Sequence, residues 1–165
     1  MNTRFTFFSG KGGVGKTTMA CATAVRFAEK GLRTLIVTTD PASNLADVFE
    51  QAIGHGVVPI AAVPNLFAME IDGDRATDEY KERALSPLRA AFPPDMVRVM
   101  EEQMSGPCTS EVAAFDCFTD VIDGAREQDH RFDALIFDTA PTGHTVRLLQ
   151  LPAEWSRVIA ASAES

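Results

Sequence analysis

The chain has 165 residues, about one domain, and is long enough to bury a sizeable core. Its 45% hydrophobic and 23% charged residues place it in the ordinary soluble globular class, and a net charge of −8 argues against a nucleic-acid-binding surface, which would need clustered Lys and Arg. No apolar run approaches the roughly 20 residues of a membrane span and no signal-peptide pattern opens the chain, so a cytoplasmic location is the default expectation.

The first element is "RFTFFS" (4–9), a short aromatic-rich run entering glycines, the pattern of a strand followed by a loop. A helix is expected over 16–30, where Met19, Ala20, Val25, Phe27 and Ala28 supply apolar positions and Gly31 is the stop signal. "RTLIVTT" (33–39) is a continuous apolar, β-branched run, the mark of a strand covered on both faces. "NLFAMEID" (65–72) and "FDALIFDTA" (132–140) read as the third and fourth strands. Between them the composition turns helical and acidic from 74 to 126. Breaks are expected at Pro87, at Pro93-Pro94 and at "SGPC" (105–108), which predicts about three inserted helices. Val112, Phe115, Phe118 and Ile122 keep helical spacing, so the last of these should lie on a core by one face. Strands alternating with helices predict an α/β fold with a mostly parallel sheet and right-handed crossovers. Ligands of such sheets sit beyond the carboxyl ends of the strands, where Gly10, Asp40 and Asp138 all fall.

The glycine segment satisfies two phosphate-binding patterns. Read as Gly10-x-Gly12-x-x-Gly15 it is a dinucleotide fingerprint, and Asp40 stands roughly where a ribose-binding acid would. Read as Gly10, Gly15, Lys16 and Thr17 in the spacing of a P-loop, it is a nucleoside-triphosphate cradle. The pair Lys16-Thr17 favours the triphosphate. A pyrophosphate held by backbone amides and a helix N-terminus needs no ammonium there. The β and γ phosphates do need the Lys16 charge, and Mg²⁺ needs the Thr17 hydroxyl. Asp138, an acid at a later strand end, would then hold the metal's water shell. Lys11 is additional. It cannot easily fold back on its own crowded phosphates and is expected to project toward a triphosphate held by a facing domain; the alternative is a solvated loop lysine.

Cys21, Cys108 and Cys117 are an odd number without disulfide-scaffold spacing and are expected as thiols, and no CxxC or His-x3-His pair suggests zinc. Cys21, among Ala20, Ala22 and Ala24, reads as a core thiol. Cys108 and Cys117 on one continuous helix would lie about 13 Å apart along its axis, too far to share an ion. His55 and His130 fall in polar loops and are expected to be solvated.

"KGGVGKT" (11–17) resembles the deviant Walker A motif of ATPases that work as face-to-face dimers, in which the first lysine contacts the partner's nucleotide. "TTDPASNLADVF" (38–49) and "DTAPTGHTVRLLQLP" (138–152) look like the two switch segments of the arsenical pump-driving ATPases and of the tail-anchored-protein targeting ATPases. The resemblance runs from the loop to "LPAEW" and covers nearly the whole chain. It implies a P-loop NTPase fold with a helical insert around 74–126, residues 1–165 being the N-terminal part of one ATPase domain. It also implies nucleotide contacts from Gly10, Lys11, Gly12, Gly13, Val14, Gly15, Lys16, Thr17 and Thr18, joined by Asn44, Pro141 and Gly143 from the switches. Catalysis falls to Lys11, Lys16 and Asp40, and Mg²⁺ to Thr17, Asp40 and Asp138. Asp40, beside Pro41, would orient the attacking water, Asn44 would add an in-line hydrogen bond, and Pro141-Thr142-Gly143 would bring a backbone amide to the γ-phosphate.

"MSGPCTSEVAAFDCF" (104–118) resembles the cysteine-bearing segment of the arsenical branch. This implies Cys108, with His144, as ligands for trivalent arsenic or antimony, which are thiophilic. Cys117 departs from the family pattern. The targeting branch uses a Met-rich helical groove instead, and Met96, Met100 and Met104 at i, i+4 and i+8 line one helical face. The implied function is an ATPase that couples Mg-ATP hydrolysis to capture of arsenite or antimonite and delivery to a membrane efflux permease. A metallochaperone is a further implied partner, the assembly a homodimer or fused pseudodimer, and the location cytoplasmic, peripheral to the membrane through its partner. The alternative is a targeting ATPase for tail-anchored membrane proteins. Family members continue with more strands, so the sheet edge is expected to be open and the "LIFD" strand under-covered.

Overall fold

Five strands form one sheet in the order β1-β5-β2-β4-β3: β1 (Arg4–Phe8), β2 (Thr34–Thr38), β3 (Val58–Pro59), β4 (Leu66–Glu70) and β5 (Ala134–Asp138). The computed structural model describes residues 3–40, 44–124 and 132–139. The expected roles of Pro41, His130, Pro141, Gly143 and His144 lie outside these residues, as do the side chains of Cys108 and Phe115. All pairings are parallel except that of β3 with β4. β3 is not among the expected strands, because two residues carry no period; only the pairing of Val58 with Ala68 and Pro59 with Phe67 makes them a strand.

Successive side chains point to opposite faces of a strand, and both faces here are apolar. Ile36, Leu66, Ala68 and Ile136 meet Ala20, Cys21, Ala24 and Ala28 of helix α1 (Lys16–Glu29). Their odd-even partners Leu35, Val37, Met69, Leu135 and Phe137 face the other layer. There Cys117, Phe118, Val121 and Ile122 of α5 (Pro107–Gly124) pack with Ala76 of α3 (Gly73–Ala91). Small residues on α1 let it lie close to the sheet, and Phe118, Val121 and Ile122 of α5 cover the opposite face. The "LIFD" strand is therefore not under-covered. All five residues of β5 are buried, because it runs between β1 and β2 with a helix on each face. One edge is the short β3 and the other is β1, where Phe7 stays 40% exposed while its ring stacks on Phe137 at 4.9 Å.

Gly31 ends α1 as expected. At φ 80° it takes a left-handed turn that costs a β-carbon strain, and Leu32 N–H donates to the Phe27 carbonyl while Gly31 N–H donates to that of Ala28. The insert holds three helices, α3, α4 (Pro94–Gln103) and α5, with boundaries at Pro93-Pro94 and at 105–108. The break expected at Pro87 is absent: α3 runs through it for 19 residues. An internal proline removes one hydrogen bond and costs about 3 kcal/mol. Continuity prevails because Leu85, two residues before the ring and 1% exposed, and the contact of α3 with α5 hold the helix in place. The remaining helix, α2 (Leu45–Val48), is a single turn buried through Leu45.

Candidate functional site

Parallel pairing brings Phe8, Thr38 and Asp138 to the same level at the carboxyl end of the sheet. Three bonds lock the exits of these strands together. Thr39 N–H donates to the Asp138 carbonyl at 3.1 Å, and Thr139 donates to the Phe8 carbonyl from its N–H at 3.2 Å and its hydroxyl at 2.8 Å. Residues 9–15 leave β1 from this level and turn into α1. Gly13 (φ 75°) and Gly15 (φ 87°) both take left-handed conformations, and Gly15 is the N-cap, so the loop wraps over the start of the helix. A helix start leaves its first N–H groups without intrahelical partners and carries a positive dipole end, which together favour a bound anion. Lys11 through Gly15 are exposed, as is Thr18.

Beneath the loop, the Thr17 hydroxyl donates to Asp138 Oδ2 at 2.6 Å. Asp138 is 0% exposed, and its other oxygen, Oδ1, has no hydrogen-bond partner among the described residues. Burial pushes this carboxyl above its ordinary value; the Thr17 bond and the nearby Lys16 ammonium pull it down, and Asp40 pushes it up. A buried carboxylate oxygen without a donor is expensive to maintain. Beside a threonine hydroxyl whose proton is already committed and whose lone pairs are free, it fits the water shell of a divalent cation. The donor set, hydroxyl and carboxylate oxygen, suits Mg²⁺. Lys16 Nζ lies 3.3 Å from the Lys11 carbonyl, folded across its own loop. Asp40 N–H is held by the Thr38 hydroxyl at 3.2 Å, which sets where the loop after β2 begins.

The residues from Gly10 to Thr18, together with Asp40 and Asp138, thus share one end of the sheet, as expected. Asn44 stands at the start of α2, exposed. Cys108 lies in the first turn of α5, on the same continuous helix as Cys117, which rules the pair out as co-ligands of one ion. Burial pushes the Cys117 thiol up to about 11, with Asp120, Glu79 and Asp116 adding to it. Cys21, 4% exposed, is raised likewise to about 11 by burial and then by the Asp138 charge. Cys21 is a core thiol and Cys117 a partly buried one packed against the core, and thiols raised in this way are poor ligands or nucleophiles. Among the described residues no group of three or more His, Cys, Asp or Glu side chains forms a metal centre, and no helix is long and apolar enough to cross a membrane.

Two features escaped the sequence analysis. The Thr38 hydroxyl holds Asp40 N–H and the Thr139 hydroxyl ties the exit of β5 to that of β1, but a threonine at a strand end gives no signal distinguishing it from an ordinary β-former. His55 is not solvated: its side chain is only 8% exposed. Its Nδ1 accepts from Asp72 N–H at 3.1 Å and its Nε2 lies 3.3 Å from a Glu79 oxygen. A polar flanking sequence hid this, because the partners come from a helix some twenty residues further along.

Residues 3–164 match the anion-transporting ATPase family. The chain is 54% identical over 155 residues to the "Arsenical pump-driving ATPase" of Acidiphilium multivorum, covering 94% of this chain and 26% of that protein. It is 53% identical over 160 residues to the Escherichia coli protein of the same name, covering 97% and 27%. A more distant relative, the "ATPase GET3" of Komagataella phaffii, is 35% identical over 160 residues, covering 94% and 46%. The chain thus spans about a quarter of the length of the arsenical relatives it matches.

Proposed function

Starting from the fact that the chain belongs to the anion-transporting ATPase family, we propose that it binds and hydrolyses Mg-ATP and couples the reaction to arsenite or antimonite. The observation that carries the nucleotide part is the 2.6 Å bond from Thr17 to a buried Asp138 whose second oxygen lacks a donor. The loop amides and the start of α1 hold the phosphates, and Lys16 leaves the Lys11 carbonyl to neutralise the β and γ oxygens. Thr17 and Asp138, with Asp40, would hold Mg²⁺, which supplies charge compensation for the leaving phosphates. Asp40, fixed by Thr38, orients the attacking water. Lys11, exposed at the loop tip, reaches a triphosphate held by a facing domain, in a homodimer or a fused pseudodimer.

The insert from 74 to 126 carries the metalloid ligand Cys108, with His144 completing the site, and the cargo passes to a membrane efflux permease, with a metallochaperone as donor. The chain then forms the N-terminal part of one ATPase domain and works at the cytoplasmic face of the membrane. High identity to two arsenical pump-driving ATPases supports this assignment over its rival. The test is ATP turnover by the full-length protein with and without arsenite, in wild type and Cys108→Ser. Stimulation that vanishes in the variant is expected; a wild type indifferent to arsenite rejects the metalloid reading. One observation favours a second reading, a targeting ATPase for tail-anchored segments: Phe92, Met96 and Val99 are exposed around α4. Co-purified apolar peptides together with arsenite indifference would select it.

A further inference from the structure

We propose that His55 is a positioning residue that fastens the chain after α2 to the start of α3, and so carries displacements of the nucleotide-site segment into the helical insert. This rests on the reading of residues 38–49 as nucleotide-responsive. The exit of β4 is held on both sides by the two ends of that segment and its continuation. On one side Ile71 N–H donates to the Thr38 carbonyl at 2.9 Å, next to the Thr38 hydroxyl that holds Asp40. On the other, Glu70 N–H donates to the Gly54 carbonyl at 2.8 Å. His55 follows directly and continues the contact into α3.

One imidazole engages two points of that helix. Asp72 N–H donates to Nδ1, and Nε2 faces the Glu79 carboxylate at 3.3 Å. Asp72 is itself the N-cap of α3, its Oδ1 accepting from the N–H groups of Asp74 and Arg75 at 3.0 Å each. Glu79 also takes a 2.9 Å bond from Arg75, so the carboxylate that His55 grips is braced from its own helix. One turn further on, Arg83 bonds Asp120 at 3.0 Å and lies 3.2 Å from Asp116, joining α3 to α5, the helix that begins beside Cys108. The ring therefore sits where the sheet's carboxyl end meets the base of a two-helix lever. A solvated loop histidine would have neither contact, and a merely capping residue would need only one.

The test is amide hydrogen exchange of the full-length protein with Mg-ATP analogue and with Mg-ADP, read over residues 72–83. The wild type is expected to differ about fivefold between the two nucleotides in this stretch. In His55→Ala the difference falls to about twofold or less, while ATP affinity stays within about threefold of wild type. Glu79→Ala, at an exposed side chain that the fold does not depend on, should lose about half of the response and decides the matter if His55→Ala fails to fold. A wild type with no nucleotide-dependent difference over 72–83 overturns the proposal, as does a full difference retained in either variant. A His55-dependent exchange difference in a protein whose turnover ignores arsenite supports the coupling and rejects the metalloid reading.

Discussion

The Lys16 ammonium and the Lys11 ammonium sit five residues apart on one loop and are asked to do different things. Lys16 is half-buried beside the loop's own phosphate cradle, so Lys16→Ala should weaken ATP binding by about a hundredfold, read by equilibrium titration. Lys11 is exposed at the tip. Lys11→Ala should leave ATP affinity within about threefold and lower turnover about a hundredfold, because a charge delivered across an interface acts in the transition state. Abolished ATP binding in that variant would place Lys11 in its own pocket instead.

Asp138 belongs to the same scale and gives a pH dependence. Its folded pKa is raised, so between the ordinary carboxylate value and the raised one the folded chain holds more protons than the unfolded chain. Stability from this group is therefore greatest at acid pH and falls as pH rises through that window, staying low at neutrality. Asp138→Asn should remove the penalty, stabilising the nucleotide-free protein by about 1 kcal/mol at pH 7 while impairing turnover. Equal denaturation midpoints for the two proteins at neutral pH would contradict the burial argument.

At the scale of elements, the sequence made legible those whose physics is local. The five buried positions of β2 follow from an uninterrupted apolar run, and the end of α1 follows from one glycine. Pro87 and His55 were misread for the opposite reason: their outcome is set by α5 and α3, which no local pattern names. Pro87 still strains the helix that overrides it. Pro87→Ala, at an exposed position, should raise stability by about 1–3 kcal/mol, measured by denaturant unfolding of the full-length protein. The ion pairs of Arg83, with the exposed Asp120 and the half-buried Asp116, should contribute only about 0.5 kcal/mol, so Leu85→Ala, at a side chain 1% exposed, should cost about 3 kcal/mol, far more than Arg83→Ala.

Taken whole, the molecule places a phosphate loop, two acids and a covered sheet at one end, and a helical insert along one face. The site was legible because glycine, lysine and threonine at fixed spacing leave few alternatives. The depth of Asp138 was not, since burial depends on β5 lying between β1 and β2. The metalloid chemistry proposed for the insert rests on likeness to a family, since thiol positions alone do not specify cargo. The claim on which all else depends is that Thr17 and Asp138 form the metal side of a triphosphate pocket. Titrating Mg²⁺ into ATP turnover by the full-length wild type and Asp138→Asn addresses it directly. The variant should need about tenfold more Mg²⁺ for half-maximal rate and reach a maximum about a hundredfold lower. An unchanged Mg²⁺ dependence with an unchanged maximal rate would contradict it.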